Sequence, residues 1–143
     1  MFLHQLNPIE AEAFLTLASE LIEDDGIHAV EEDALLEQYM KELGLPTFTY
    51  DPAACAMSRD TLAQLNEVGK RKVYLELYRF AICDGFEDAS ERRSLNALRD
   101  ALGLDSHICR LLERCISDLY GVYAEIERAL NADPSPVAVD YDS

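Results

Sequence analysis

The chain has 143 residues, is 49% apolar and carries a formal net charge of −16. That length and composition describe one globular domain with a buried core and exclude a disordered chain. The charge excludes a nucleic-acid backbone or an anionic membrane surface as ligand, because like charges repel, and suits a soluble protein that attracts cations or a basic partner.

The charge is uneven. Residues 1–58 carry twelve acids and one base, Lys41, whereas residues 59–143 carry sixteen acids and eleven bases. The N-terminal stretch MFLHQLNPIEAEAF lacks a basic segment followed by an apolar core, so no signal peptide is expected. No apolar run approaches the ~20 residues of a membrane span. The four cysteines, Cys55, Cys83, Cys109 and Cys115, form no Cys-x-x-Cys pair. They read as reduced thiols in a cytoplasmic protein, with Cys83, Cys109 and Cys115 as small core residues.

The first helix is predicted over residues 8–25. Asn7 can cap it, Pro8 suits its first position, and Glu10 can reach back to the cap. Phe14, Leu17, Ala18, Leu21 and Ile22 share one face. Gly26 ends the helix, and Ile27 can fold back on it. A second helix begins near residue 29 or 30, with Leu36, Tyr39, Met40 and Leu43 as its buried stripe and Leu35 beside it. Gly44, Leu45 and Pro46 stop it. Residues 46–57 hold two prolines and no period, so they read as a loop whose Phe48 and Tyr50 dock on the core.

Ser58 is placed to cap a third helix, with Leu62, Leu65 and Val68 inward. Gly69 is expected to break or bend the run. Lys70, Arg71 and Lys72 then read as a solvated basic turn, and Val73, Leu77, Phe80 and Ala81 resume an apolar face up to Asp84. Asp88-Ala89-Ser90-Glu91 is a capping-box pattern opening another helix, with Leu95, Leu98 and Leu102 inward and Gly103-Leu104 as its stop. Asp105 or Ser106 caps the last helix. Its stripe runs through Ile108, Leu111, Leu112, Cys115, Ile116, Leu119, Tyr123, Ile126 and Leu130. At 1.5 Å per residue this helix approaches ~40 Å, and it is expected to cross the others and close the core. Residues 132–143 read as a loose acidic tail, leaving residues 1–131 as the domain.

One phrase occurs twice. Residues 25–45, DGIHAVEEDALLEQYMKELGL, align without a gap on residues 84–104, DGFEDASERRSLNALRDALGL. Seven positions are identical: Asp25/Asp84, Gly26/Gly85, Glu32/Glu91, Leu36/Leu95, Leu43/Leu102, Gly44/Gly103 and Leu45/Leu104. Unrelated stretches would share roughly one or two. The self-match predicts an all-α fold of six or seven helices containing a duplicated helical hairpin, its copies related by a pseudo-twofold.

In each copy an aspartate ends one helix and a glutamate sits in the first turn of the next. The glutamate faces the positive end of its own helix dipole, which accounts for it structurally. The aspartate sits at the negative end of a helix, at a cost of about 0.3–1 kcal/mol, and calls for compensation. A hydrogen bond to amides of the following turn would supply it. So would a hard divalent cation, Ca²⁺ or Mg²⁺, held by Asp25, Glu32, Asp84 and Glu91. Asp24, Glu31, Glu87 and Asp88 add oxygens nearby, but the spacing is not that of an EF-hand loop. Both explanations stand at this level.

The twin helix–Asp-Gly–five residues–Glu–helix–Leu-Gly-Leu units, over about residues 10–130, resemble the TerB family, the all-α domain associated with tellurite resistance. Related domains occur at the N-termini of certain membrane-bound DnaJ-type co-chaperones. The resemblance implies a duplicated helical fold and acidic residues proposed to bind divalent cations, here Asp25 with Glu32 and Asp84 with Glu91. It also implies a place in stress-response systems, with a partner in the inner membrane. His28 and Ala29 stand where polar capping residues would sharpen the first turn, and the cysteines of the last helix and the acidic tail have no counterpart in the family pattern.

His4, His28 and His107 sit in no recognisable nucleophile motif, and no glycine-rich phosphate loop is present. His28 reads as part of the start of the second helix and His107 as a surface residue in the first turn of the last. The expected function is a non-enzymatic adaptor with a protein partner, whose affinity can depend on a cation. The alternatives are a purely structural interaction domain without metal and, last, a metal-dependent hydrolase.

Overall fold

A computed structural model describes residues 2, 3, 5–25, 30–82 and 89–134, with the side chains of residues 24, 25, 30 and 31 outside that description. Within it every regular element is helical: α1 (Pro8–Asp25), α2 (Val30–Leu43), a 3-10 turn (Pro52–Ala54), α3 (Cys55–Leu62), α4 (Glu67–Ala81), α5 (Ala89–Leu102) and α6 (Ser106–Leu130). The all-α class and six α-helices match the sequence expectation.

α1 begins as its capping pattern requires. Asn7 Oδ1 accepts from the Glu10 amide at 2.8 Å, and Glu10 Oε1 accepts from the Asn7 amide at 2.9 Å. α4 opens on the same residue type 59 positions later, Asn66, whose Oδ1 accepts from the Gly69 amide at 2.7 Å. α2 and α5 span intervals 59 residues apart at both ends. Their stops are alike. Gly44 and Gly103 adopt φ of +71° and +67°, a region glycine enters without the steric cost other residues meet. The Leu45 amide then bonds back to Met40 O at 2.9 Å and the Leu104 amide to Arg99 O at 3.0 Å, closing a Schellman stop in each.

The middle of the chain departs from expectation. Residues 46–57 are not all loop: Asp51 caps the 3-10 turn through the Ala53 amide, Pro52 opens it, and α3 starts at Cys55. Ser58 is therefore a buried residue inside α3 and not its cap. The chain breaks at Ala63–Asn66 and not at Gly69, which lies in the first turn of α4 because Asn66 out-competes it as a boundary signal. Lys70, Arg71 and Lys72 are consequently helical, with Arg71 paired to Glu67 one turn back. Val68, expected inward, is exposed for the same reason: the restart at Asn66 resets the helical phase. Phe48 and Tyr50 pack against the core as expected.

α1 is the central element and packs on α2, α3, α4 and α5. Phe14, Leu15, Leu62, Val73, Tyr74, Leu77, Phe80, Leu95 and Leu102 are almost wholly buried around it. Tyr39 of α2 enters the same core, its ring edge-on to Phe14 with centroids 4.9 Å apart. The first residues strap across this body, the Phe2 amide donating to Glu76 and the Leu3 amide to Glu42.

Candidate functional site

Two of the four residues read as metal ligands are described at side-chain level. Glu32, in the first turn of α2, is 5% exposed, and Glu91, in the first turn of α5, is 4% exposed. Both residues have interaction partners within the protein. Lys, Glu, Arg and Asp are rarely so buried without a partner, so equal burial at matched positions sets these two apart from a solvated helix start. The Asp25 side chain, Asp84, and the turns at 26–29 and 83–88 with His28 lie outside the described residues. Among the described residues, no group of three or more His, Cys, Asp or Glu side chains is arranged to hold a metal ion.

A third buried glutamate escaped the sequence reading. Glu76, in the middle of α4, is 0% exposed. Its Oε2 accepts from Tyr39 Oη at 3.0 Å and from Arg79 Nη1 at 3.3 Å, and its Oε1 from the Phe2 amide at 3.3 Å. The Tyr39 hydroxyl also lies 2.9 Å from Glu76 O. Burial, and then the Glu76 carboxylate beside it, push the Tyr39 phenol well above its ordinary range, so it stays a donor at neutral pH. The signal in the sequence was a lone charge within the apolar stripe of Val73, Leu77 and Phe80, one position off the core-facing pair.

A second polar cluster fixes the root of α6. Tyr74 Oη donates to Glu113 Oε2 at 2.7 Å, and Arg92 forks onto both Glu113 oxygens at 2.8 and 3.2 Å. The Arg92 guanidinium also lies 5.9 Å from the centre of the Tyr78 ring. One carboxylate thus joins α4, α5 and α6 in a bidentate, charge-assisted arrangement.

α6 closes the core only over its first part, through Cys109, Leu112, Ile116 and Tyr120, and not along its whole length as expected. It runs alongside α4 in the same direction, Glu113 facing Tyr74 and the Tyr120 hydroxyl reaching Arg79 O at 3.5 Å. α4 ends two residues later, at Ala81. α6 continues for ten more residues, about 15 Å of helix, with nothing of α4 beside it. Every residue from Gly121 to Leu130 is exposed. The buried residues of α6 are Cys109 and Ile116, and Cys115, expected in the core, is exposed. Sequence periodicity reports that a stripe is apolar and not whether a neighbour covers it.

The apolar stripe is ordered. Ile108, Leu112, Cys115, Leu119, Val122, Ile126 and Ala129 follow one another at alternating intervals of four and three residues, the seam of a two-helix coiled coil. Ile108, Leu112 and Leu119 are half-buried, Leu112 against the core, and the part from Val122 onward is exposed. The body-facing ridge, Cys109, Ile116 and Tyr120, lies to one side of that seam, so Leu111, Val122, Tyr123, Ile126 and Leu130 face outward. Val122 is 50% and Leu130 79% exposed. Among the described residues no helix is long and apolar enough to cross a membrane.

A small, partly open slot lies between α1, α4 and α5, lined by Leu17, Leu21, Leu77, Leu95 and Leu98, with Ser94 and the Arg59–Glu20 ion pair at its edge. The pair joins α3 to α1. Comparison of the chain with protein-family models, curated proteins and solved structures finds no match.

Proposed function

We propose that this chain is a non-catalytic adaptor: an acidic helical body, built from a duplicated hairpin of the TerB type, that presents the distal half of α6 to a protein partner. The observation that carries the reading is the apolar seam of α6, rooted by Glu113 and uncovered from Gly121 to Leu130. Exposed apolar rows of this regularity are features of surfaces that meet another molecule. The resemblance to the TerB family supports the same reading and suggests a cytoplasmic protein of a stress-response system whose partner sits at the inner membrane.

The test is photocrosslinking in cells from a reactive side chain at position 126, compared with the same group at Ala97, an exposed residue of α5. Discrete heavier adducts are expected from position 126 and none from position 97. Equal patterns from the two positions would remove the docking role.

A second reading concerns a divalent cation at Asp25, Glu32, Asp84 and Glu91. It is favoured by the matched burial of Glu32 and Glu91, since a carboxylate removed from water is stabilised by a positive partner. Millimolar Ca²⁺ or Mg²⁺ should then raise the melting temperature, and Asp25→Asn with Asp84→Asn should remove the gain. A melting temperature indifferent to both ions leaves the glutamates as structural groups.

A further inference from the structure

We propose, resting on the docking role of α6, that the partner it receives is a basic amphipathic helix of another protein. Two observations on α6 and one on the whole chain carry this. First, the intervals between Ile108 and Ala129 are those of a helix–helix seam, so the complementary shape is a second helix with an apolar stripe. Second, one margin of the seam is acidic and neither is basic. Asp118 and Glu125 flank the seam along one edge, the other edge carries Tyr123, and no lysine or arginine stands at either flanking position. Glu127, Arg114 and Arg128 lie one step farther round the helix and Arg110 on its far side. Among the described residues Asp118 and Glu125 form no ion pair. They remain available to lysines or arginines flanking the partner's apolar stripe, as charges beside a coiled-coil seam set partner choice.

Third, the whole body repeats that sign. A net charge of −16 draws a basic helix in and opposes a second copy of the same chain, which would bring two such charges together along one seam. The acidic edge therefore sorts partners by charge and the seam holds the one that fits, a division of labour between approach rate and residence time.

The experiment uses the full chain and labelled 18-residue helical peptides with leucine at seam spacing and lysine, glutamine or glutamate elsewhere. Binding is followed by fluorescence anisotropy, and the mass of the free protein by light scattering. The lysine peptide should bind at least about tenfold more tightly than the glutamine peptide and the glutamate peptide not at all. The doubly substituted Val122→Asp, Ile126→Asp protein should lose about tenfold or more of that affinity. This substitution adds two negative charges, so attraction by charge alone would strengthen binding. Both positions are exposed, so an unchanged melting temperature verifies that the variant is folded.

Equal affinity for the lysine and glutamine peptides would overturn the basic partner and leave the docking face standing. A free protein that is dimeric, and monomeric with the Asp substitutions, would overturn it in favour of a second copy. Lysine-peptide binding that survives or strengthens with the substitutions would overturn both the basic helix and α6 as its site.

Discussion

Tyr39→Phe is the sharpest probe of the core. The substitution keeps the ring that packs on Phe14 and Phe80 and removes one oxygen. That oxygen is a donor to Glu76 Oε2, and Glu76 is 0% exposed, so water does not replace it. A hydrogen bond to a charged group contributes about 1.5–3 kcal/mol, and leaving a buried acceptor short of a donor places the loss within that range. The Phe2 amide and Arg79 remain on the carboxylate, which argues for the middle, about 2 kcal/mol. For a chain of this size that is a fall in melting temperature of roughly 6 °C. Tyr74→Phe is the matched control. It also removes a buried phenol oxygen, but its acceptor Glu113 is partly solvated and keeps both bonds from Arg92, so the cost should stay near or below about 1 kcal/mol. Urea unfolding monitored by circular dichroism measures both. A Tyr39→Phe cost under about 0.5 kcal/mol, or one no larger than that of Tyr74→Phe, would refute the argument that burial of the acceptor sets the magnitude.

Gly44→Ala and Gly103→Ala should each destabilise by about 1 kcal/mol in urea unfolding and by nearly equal amounts. A Cβ at either position meets no atom within 4 Å, so backbone strain at positive φ is the whole effect. Alkaline pH should unfold the protein. The Tyr39 and Tyr74 phenols are raised chiefly by burial, then by the carboxylates beside them, and the Cys55 and Cys109 thiols are raised chiefly by burial. Their folded-state values exceed the unfolded ones, about 8.5 for Cys and 10 for Tyr. Their contribution is therefore whole below about pH 8.5 and is lost as pH rises, because the unfolded chain releases protons that the native state keeps. Urea midpoints between pH 8 and 11 should decline, and Tyr39→Phe with Tyr74→Phe should flatten the decline above about pH 10.

What the sequence announced and what it withheld follow from the physics of each signal. Glycine stops at Gly44 and Gly103, and the reciprocal cap of Asn7 with Glu10, are local: a few consecutive residues contain the whole cause, and they were legible. The α3–α4 junction was misplaced because Ser58 and Gly69 are generic signals, whereas Asp51 before Pro52, and Asn66, had the stronger claim on chain geometry. Asn66 matches Asn7 at the same offset of 59, outside residues 25–45 and 84–104. Glu32 and Glu91 were singled out from their spacing, yet their burial depends on packing between distant helices and was not readable. The same holds for Glu76, whose partners Tyr39 and Phe2 lie 37 and 74 residues away. For α6 the periodicity was right and its burial was not, because covering the stripe depends on where α4 ends.

The clamp at Glu113 gives α6 the mechanics of a cantilever. Its base packs on the body through Cys109 and Ile116 and is joined to two other helices by one carboxylate, while its tip runs on past Ala81 with every residue from Gly121 to Leu130 exposed. A load applied near Ile126 would turn the helix about that anchorage and reach α4 and α5 through Tyr74 and Arg92. A rod held in this way fixes the angle at which anything attached to it stands to the body, and Glu113→Gln would loosen that angle before it loosened the grip.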